Sequence, residues 1–168
     1  MQSILLASLL YFFTGLNCDD CRPIDSLYKE ELIKIYKPTI PTISIQEYLR
    51  MDTDSVLVLD TREEQEYQIS HLRYAKNTGF IWFDMRDIYD IPKDKVIIVY
   101  SSMGDRSQRI AEMLIRAGYK KVYNLYGGIF EWVNQGYPVY TRKDVQTSQI
   151  HIYKKNLGVW LKRVTKVL

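Results

Sequence analysis

Residues 96 to 107 set the architecture of the chain; they read Val96-Ile97-Ile98-Val99-Tyr100-Ser101-Ser102-Met103-Gly104-Asp105-Arg106-Ser107. The continuous apolar run at the start is typical of a strand buried on both faces. Past the polar segment, apolar side chains recur at helical spacing, and Gly118 is placed to end that helix. The sequence therefore predicts a strand, a short loop and a helix.

The loop is predicted to bind an anion. Backbone N–H groups at the start of a helix point into one hollow, the helix dipole adds positive potential, and Arg106 adds a full charge. Asp105 places a negative charge beside Arg106, so we expect loose binding. A structural ion pair is the alternative role for Arg106. The candidate residues of this anion-binding loop are Ser101, Ser102, Met103, Gly104, Asp105, Arg106 and Ser107.

Apolar runs and helical patterns alternate on both sides of the loop. Strands are predicted at 56–59 and 122–126, a capping box at Ser44 and Glu47 begins one helix, and a second at Thr61 and Glu64 begins a helix over 63–69. Another helix is predicted near 82–87. This alternation favours an α/β domain over 42–141 with a parallel sheet covered on both faces. In such folds ligands gather at the carboxyl ends of the strands, where the loop falls.

Four further motifs stand in a fixed order around the loop. They are Asp60-Thr61-Arg62-Glu63 with Tyr67, His71-Leu72 with Ala75 and Asn77, Leu125-Tyr126-Gly127-Gly128, and Trp132 with Gly136. Together with the loop they resemble the rhodanese-like domain of the rhodanese/sulfurtransferase superfamily, over roughly residues 42 to 140. The resemblance implies a three-layer α/β fold, in which a central, mostly parallel sheet is flanked by helices.

The chain departs from the family at one position. The family's loop reads Cys-x-x-Gly-x-Arg-Ser, and its thiolate accepts a sulfane sulfur and passes it on; here Ser101 stands at the place of that cysteine. A serine hydroxyl stays protonated unless a base removes its proton. Neither His71 nor His151 is near the loop in sequence, so we expect an inactive homologue that lacks ordinary sulfurtransferase activity and has no catalytic residue.

Loop length separates sulfur transfer from a related chemistry. Four residues lie between Ser101 and Arg106. That spacing resembles the sulfur-transfer loop, whereas the cell-cycle dual-specificity phosphatases of the same fold place one more residue there. Phosphatase activity is disfavoured by this spacing and by the missing thiol.

The expected function is that of a module that binds a protein partner or a small anion, without cofactor or metal. An active sulfurtransferase that uses Cys18, Cys21 or a partner thiol is the alternative. A serine introduced deliberately in place of cysteine would give the same sequence. We expect Asp60 and Arg62 to support the loop through structural hydrogen bonds or an ion pair. His71 is expected to cap a turn.

Two glycines and a tryptophan downstream are given structural roles. Gly127 and Gly128 are expected to adopt a backbone conformation that a Cβ atom would obstruct. Trp132 is expected to pack in the core.

The N-terminus predicts export. Residues 4 to 16 are almost entirely apolar and uncharged, which is typical of a signal peptide or lipoprotein signal over 1–17, although no Lys or Arg precedes them. An uncleaved anchor or a helix packed on the domain is the alternative. Cys18 is a candidate lipidation site, a disulfide partner of Cys21, or an inert thiol. The expected location is the periplasm or the cell envelope, with a possible membrane tether.

Two segments flank the predicted domain. Residues 18–41 are polar and end in prolines, which predicts a linker with one short helix over 24–35. Residues 142–168 hold seven Lys or Arg and one Asp, so the basic character of the chain, whose net charge is +3, lies in this tail. Overall charge therefore gives a nucleic-acid role no support. Helical spacing of Leu157, Trp160, Leu161, Val164 and Leu168 predicts a basic amphipathic helix that either packs on the domain or lies on an anionic membrane.

Overall fold

A single parallel sheet forms the centre of the protein, whose computed structural model describes residues 25–168. Its strands are β1 (Thr42–Ile43), β2 (Val56–Asp60), β3 (Lys76–Asn77), β4 (Val96–Tyr100) and β5 (Lys121–Leu125). They are hydrogen-bonded in the order β1-β5-β4-β2-β3. In the centre, β2 and β4 pair along their whole length, with Val56 opposite Val96 and Asp60 opposite Tyr100.

Within residues 25–168, five α-helices surround this sheet. They are α1 (Ser26–Ile35), α2 (Ile45–Leu49), α3 (Glu64–Ile69), α4 (Asp105–Arg116) and α5 (Gly128–Asn134). Short 3-10 helices cover Thr53–Ser55, Met85–Ile88 and Lys155–Trp160. Four more short strands follow α5, namely β6 (Val139–Tyr140), β7 (Gln146–Thr147), β8 (Gln149–His151) and β9 (Thr165–Val167). β6 and β7 pair antiparallel, and β8 and β9 pair parallel.

Two apolar clusters fill the space on the two faces of the sheet. Ile98 and Tyr100 of β4 belong to one cluster, and Ile97 and Val99 belong to the other. Successive side chains of a strand point to opposite faces, so a strand between two apolar layers needs apolar residues at every position. The predicted three-layer α/β fold with a central parallel sheet is confirmed.

The start of α3 differs from the prediction. Thr61 was expected to cap it, but the Thr61 side chain donates to the carbonyl of Tyr100 (3.0 Å) and is fully buried against β4. The helix begins at Glu64, and the backbone N–H of Glu63 donates to the Glu66 carboxylate (3.1 Å). The capping box at Ser44 and Glu47 is confirmed at α2.

Both flanking segments belong to the folded domain. The short helix predicted over 24–35 is confirmed as α1, but it buries Tyr28 and Leu32 in the core, so this part of the predicted linker is folded. The predicted tail helix is also wrong, since residues 142–168 form strands and a 3-10 helix. Gly158 sits inside that helix, and a Cβ atom there would lie 3.3 Å from Cδ1 of Ile152. The tail packs against the domain, as one of the two alternatives expected.

Two further outcomes concern the rest of the chain. The helix expected near 82–87 is a 3-10 turn over Met85–Ile88, which Asp84 caps through the backbone N–H of Arg86 (2.9 Å). The predicted signal over 1–17, Cys18 and Cys21 lie outside the described residues. From residue 25 onward, no helix combines the length and apolar character that crossing a membrane requires.

Candidate functional site

The loop of residues 101 to 104 joins β4 to α4 at the carboxyl edge of the sheet. Ser101 lies at its base and is fully buried. The Ser101 hydroxyl accepts a hydrogen bond from the backbone N–H of Gly104 (3.0 Å) and lies 3.3 Å from the hydroxyl of Ser107. Gly104 caps α4 with a φ of +104°, a conformation that favours glycine. The hydroxyl of Ser101 thus lies at the N-terminal end of α4, where an anion is predicted to bind.

Helix α5 holds the loop from the other side. Its backbone N–H groups at Ile129 and Phe130 donate to the carbonyls of Ser101 (3.0 Å) and Ser102 (3.1 Å). This approach is so close that a Cβ atom on Gly128 would lie 2.3 Å from the Ser101 carbonyl oxygen. Gly127 and Gly128 have φ values of +76° and +58°. The structural role expected of these two glycines is confirmed.

Arg106 forms a buried ion pair with a residue that the sequence analysis did not single out. Its Nη1 and Nη2 atoms donate to the two carboxylate oxygens of Glu66 (2.6 and 2.7 Å), and both side chains are almost fully buried. The Ser102 hydroxyl completes the cluster at 3.0 Å from Arg106 Nη2. Of the two roles left open for Arg106, the structure shows the ion pair. The sequence signal that could have identified Glu66 is its position directly before Tyr67, within the motif that begins at Asp60.

Electrostatics favour the ionised form of Glu66. Burial raises the pKa of Glu66, but the hydrogen bonds and charge of Arg106 outweigh it and leave that pKa below its ordinary value. Tyr153 covers the guanidinium of Arg106 at 4.1 Å from the ring centroid. The positive charge of the loop is therefore already matched by a carboxylate.

A second buried ion pair lies at the carboxyl end of β2. Arg62 donates to Asp60 through Nε (3.0 Å) and Nη2 (2.6 Å), and both side chains are fully buried. Tyr100 donates its hydroxyl to the same carboxylate (2.6 Å). Burial, together with the negative charge of Asp60, raises the pKa of Tyr100. Asp60 and Arg62 thus form the expected ion pair, but neither side chain is hydrogen-bonded to residues 101–107, and their support of the loop stays a prediction.

Neither histidine reaches Ser101. His71 stacks on Tyr67 and its Nδ1 atom lies 3.0 Å from the Tyr67 carbonyl, at the end of α3. His151 accepts from the backbone N–H of Tyr153 (3.0 Å), and burial lowers its pKa. Among the described residues, the Ser101 hydroxyl is hydrogen-bonded to an amide and another hydroxyl, and to no carboxylate or imidazole.

Trp132 packs in the core, as expected, and is 6% exposed. Its indole N–H donates to the Pro138 carbonyl (2.8 Å). No group of three or more His, Cys, Asp or Glu side chains able to hold a metal ion occurs in the described part of the chain.

The comparison with protein families agrees with this geometry. The family model of the rhodanese-like domain matches residues 45–135, which is more than half of the chain. The chain belongs to the rhodanese-like domain family. The match covers strands β2 to β5, the loop and α5, whereas β1 lies just before it.

Two curated relatives illustrate the range of proteins that carry this domain. The chain is 33% identical to a sulfurtransferase of Allochromatium vinosum over 88 residues, which is 52% of this chain and 81% of the relative. It is 29% identical to a tRNA uridine(34) hydroxylase of Streptococcus thermophilus over 128 residues, or 70% of this chain. The chain spans only 36% of that hydroxylase's length.

Two solved structures share the fold. A rhodanese-related protein from Thermoplasma volcanium is 27% identical with a TM-score of 0.51, over 59% of this chain and 96% of that one. A thiosulfate sulfurtransferase from Pseudomonas aeruginosa, 20% identical, has a TM-score of 0.54 over 68% of this chain and 22% of that one. The second likeness concerns the fold alone.

Proposed function

We propose that this rhodanese-like domain does not perform sulfur transfer at its loop and acts instead as a binding module. The observation that carries the proposal is the buried hydroxyl of Ser101 at the N-terminal end of α4. The proposal takes Ser101 to stand at the position of the reactive cysteine, on the resemblance of residues 101–107 to the family's loop.

The chemistry of the missing step explains why a hydroxyl does not suffice. In sulfur transfer, a thiolate attacks the sulfane sulfur of thiosulfate, the sulfur–sulfur bond breaks and sulfite leaves. Cyanide then takes the sulfur as thiocyanate and restores the thiolate. An alcohol at neutral pH has almost no ionised fraction, and activating it requires a neighbouring base. Within residues 25–168, no base is hydrogen-bonded to Ser101.

A protein partner is favoured over a small anion as the ligand. The guanidinium of Arg106, which would attract an anion, already makes two hydrogen bonds to Glu66. An anion at the loop would have to compete with a carboxylate held at 2.6 Å. Partner binding does not require this ion pair to open.

We further propose that the domain works in the cell envelope. The uncharged apolar run of residues 4 to 16 and the cysteine that follows it at position 18 support an export signal with a lipid tether. Expression of the full chain in a bacterial host, followed by fractionation and mass spectrometry of the mature N-terminus, tests this. An intact N-terminus in the cytoplasmic fraction would contradict export.

The activity proposal is tested with the full chain and thiosulfate plus cyanide. We expect thiocyanate formation at the rate of the protein-free control. Mass spectrometry after incubation with thiosulfate examines Cys18 and Cys21 in the same sample, and we expect no persulfide at either. Clear turnover would contradict the proposal, and a persulfide at Cys18 or Cys21 would favour the alternative in which those thiols carry the sulfur.

A further inference from the structure

Chain segments outside the part that matches the family lie against the loop. Ser101, Ser102, Met103 and Ser107 are each between 0% and 2% exposed. Tyr36 contacts Met103 from one terminal segment, residues 25–37, and Tyr153 contacts Arg106 from the other, residues 149–162. We call these two segments the terminal cap. Both lie outside residues 45–135, so these contacts come from beyond the matched domain.

Tyr36 is the residue of the terminal cap that lies directly on the loop. Its hydroxyl accepts from the backbone N–H of Gly127 (2.9 Å) and lies within donor distance of two carbonyls, those of Met103 (3.0 Å) and Leu125 (3.1 Å). A Cβ atom added to Gly104 would lie 1.9 Å from this hydroxyl oxygen. The tyrosine therefore fits against the loop only because residue 104 is a glycine.

Helix α1 is anchored on both sides of Tyr36. The Tyr28 hydroxyl donates to the Gly127 carbonyl (3.0 Å). On the other side, the side chain of Gln108, a residue of α4, donates to the Ile35 carbonyl (2.8 Å) and accepts from the Lys37 N–H (3.0 Å). The C-terminal end of α1 is thus hydrogen-bonded to the first turn of α4, the helix that follows the loop.

The C-terminal half of the terminal cap supports α1 and covers the loop's ion pair. The Tyr28 ring packs on Trp160 with 5.5 Å between centroids, and Lys162 forms an ion pair with Asp25. Tyr153 lies over the guanidinium of Arg106. The two ends of the described chain therefore meet above the same loop.

We propose that the terminal cap is a built-in block on the loop, with Tyr36 as the side chain that closes it. While Tyr36 lies on Gly104, a sulfur donor or acceptor does not reach residue 101, whatever side chain stands there. This inference rests on the proposed function in treating residue 101 as the former reaction centre. It adds a steric barrier to the chemical one, so restoring the cysteine alone does not restore turnover.

The test measures access to residue 101 with a thiol as reporter. In the full chain carrying Cys18→Ser and Cys21→Ser, Ser101→Cys introduces the only thiol, and its alkylation by iodoacetamide is followed by mass spectrometry. Adding Tyr36→Ala is expected to speed alkylation by about tenfold or more, because a buried group reacts through the open fraction of molecules. Tyr137→Ala is the matched control, since Tyr137 is also partly buried but packs on Trp132.

Three outcomes would overturn the block. One is alkylation of the Ser101→Cys chain as fast as that of a free thiol. Another is no acceleration by Tyr36→Ala. The third is equal acceleration by Tyr36→Ala and Tyr137→Ala, which would indicate general loosening. If Tyr36→Ala fails to fold, Tyr36→Phe is used instead, because it keeps the ring and removes the hydroxyl contacts. A smaller acceleration of alkylation is then expected. Alkylation of Tyr36→Phe at the parent's rate would contradict the block.

Turnover separates this inference from the proposed function. With thiosulfate and cyanide, we expect activity when Ser101→Cys and Tyr36→Ala are combined, and none with Ser101→Cys alone. Activity of Ser101→Cys alone would refute the block and leave the proposed loss of the nucleophile intact. Activity of the unaltered chain would refute the proposed function, while alkylation rates would still decide whether the loop is closed.

Discussion

The loop and the terminal cap are held in place by different physical means. Around the loop, two ion pairs are buried, Asp60 with Arg62 and Glu66 with Arg106. The terminal cap is attached by aromatic packing, by tyrosine hydroxyls bound to backbone atoms and by an exposed ion pair of Lys162 with Asp25. Buried charges are costly to leave unpaired, whereas exposed pairs contribute little. The loop is thus expected to be rigid, and the cap to be the part that yields first.

The largest expected effect is from breaking the buried pair at the loop. Glu66→Ala leaves the Arg106 guanidinium without its carboxylate, and we expect the free energy of unfolding to fall by about 3–5 kcal/mol. Urea denaturation measures it. The control is Glu64→Ala, in the same helix, where the carboxylate forms an exposed pair with Arg142. Comparable losses for the two variants would contradict the contrast between buried and exposed charges.

The next effect tests the contact between α5 and the loop. Gly128→Ala brings a Cβ atom against the Ser101 carbonyl and also strains a positive φ, so we expect a loss of about 2–5 kcal/mol. Gly118→Ala is the matched control, because Gly118 has a φ of +91° but nothing within 4 Å of the added atom. Its loss is expected to be about 1–2 kcal/mol. Equal losses would mean that the close approach carries no weight.

A smaller effect is expected in the terminal cap. Tyr36→Phe leaves the backbone N–H of Gly127 without its acceptor, and we expect a loss of about 1–3 kcal/mol. Tyr137→Phe serves as control, because the Tyr137 hydroxyl makes no hydrogen bond to any residue from 25 to 168. Thermal unfolding of both variants gives the comparison. A Tyr36→Phe variant as stable as the parent would weaken the assignment of Tyr36 as the closing residue.

The smallest effect concerns pH. Because the pKa of Glu66 is lowered from its ordinary 4.5 in the folded state, its ionised form adds stability that is complete above that value. This contribution is lost as pH falls through the lower, folded-state pKa. The difference in unfolding free energy between the parent and Glu66→Gln should therefore shrink on acidification. A difference that stays constant down to the acid limit of folding would contradict the lowered pKa.

Features governed by neighbouring residues in the chain could be predicted from the sequence. The continuous apolar runs gave β2 and β4, and the capping box at Ser44 gave α2, because these signals depend on local backbone chemistry and on burial of both faces. The loop between β4 and α4 and the structural role of Gly128 followed from the same kind of signal. The loop and Gly128 both lie within the matched domain.

Features governed by distant contacts were missed. Thr61 does not cap α3, because its hydroxyl is bonded to Tyr100 across the sheet. The helical spacing around Leu157 and Trp160 was misleading, since β8 pairs with β9 and Gly158 sits against Ile152. Glu66 and Tyr36 carry no local pattern that shows their partners, which are 40 and 91 residues away in the chain. The terminal cap therefore became visible only in three dimensions.

The central claim is that an oxygen at residue 101 leaves this domain without sulfur-transfer chemistry of its own. The most direct measurement is thiocyanate formation from thiosulfate and cyanide by the full chain carrying Cys18→Ser and Cys21→Ser, which has no thiol at all. We predict a rate equal to that of the protein-free reaction. A rate that rises in proportion to the concentration of this thiol-free protein would contradict the claim.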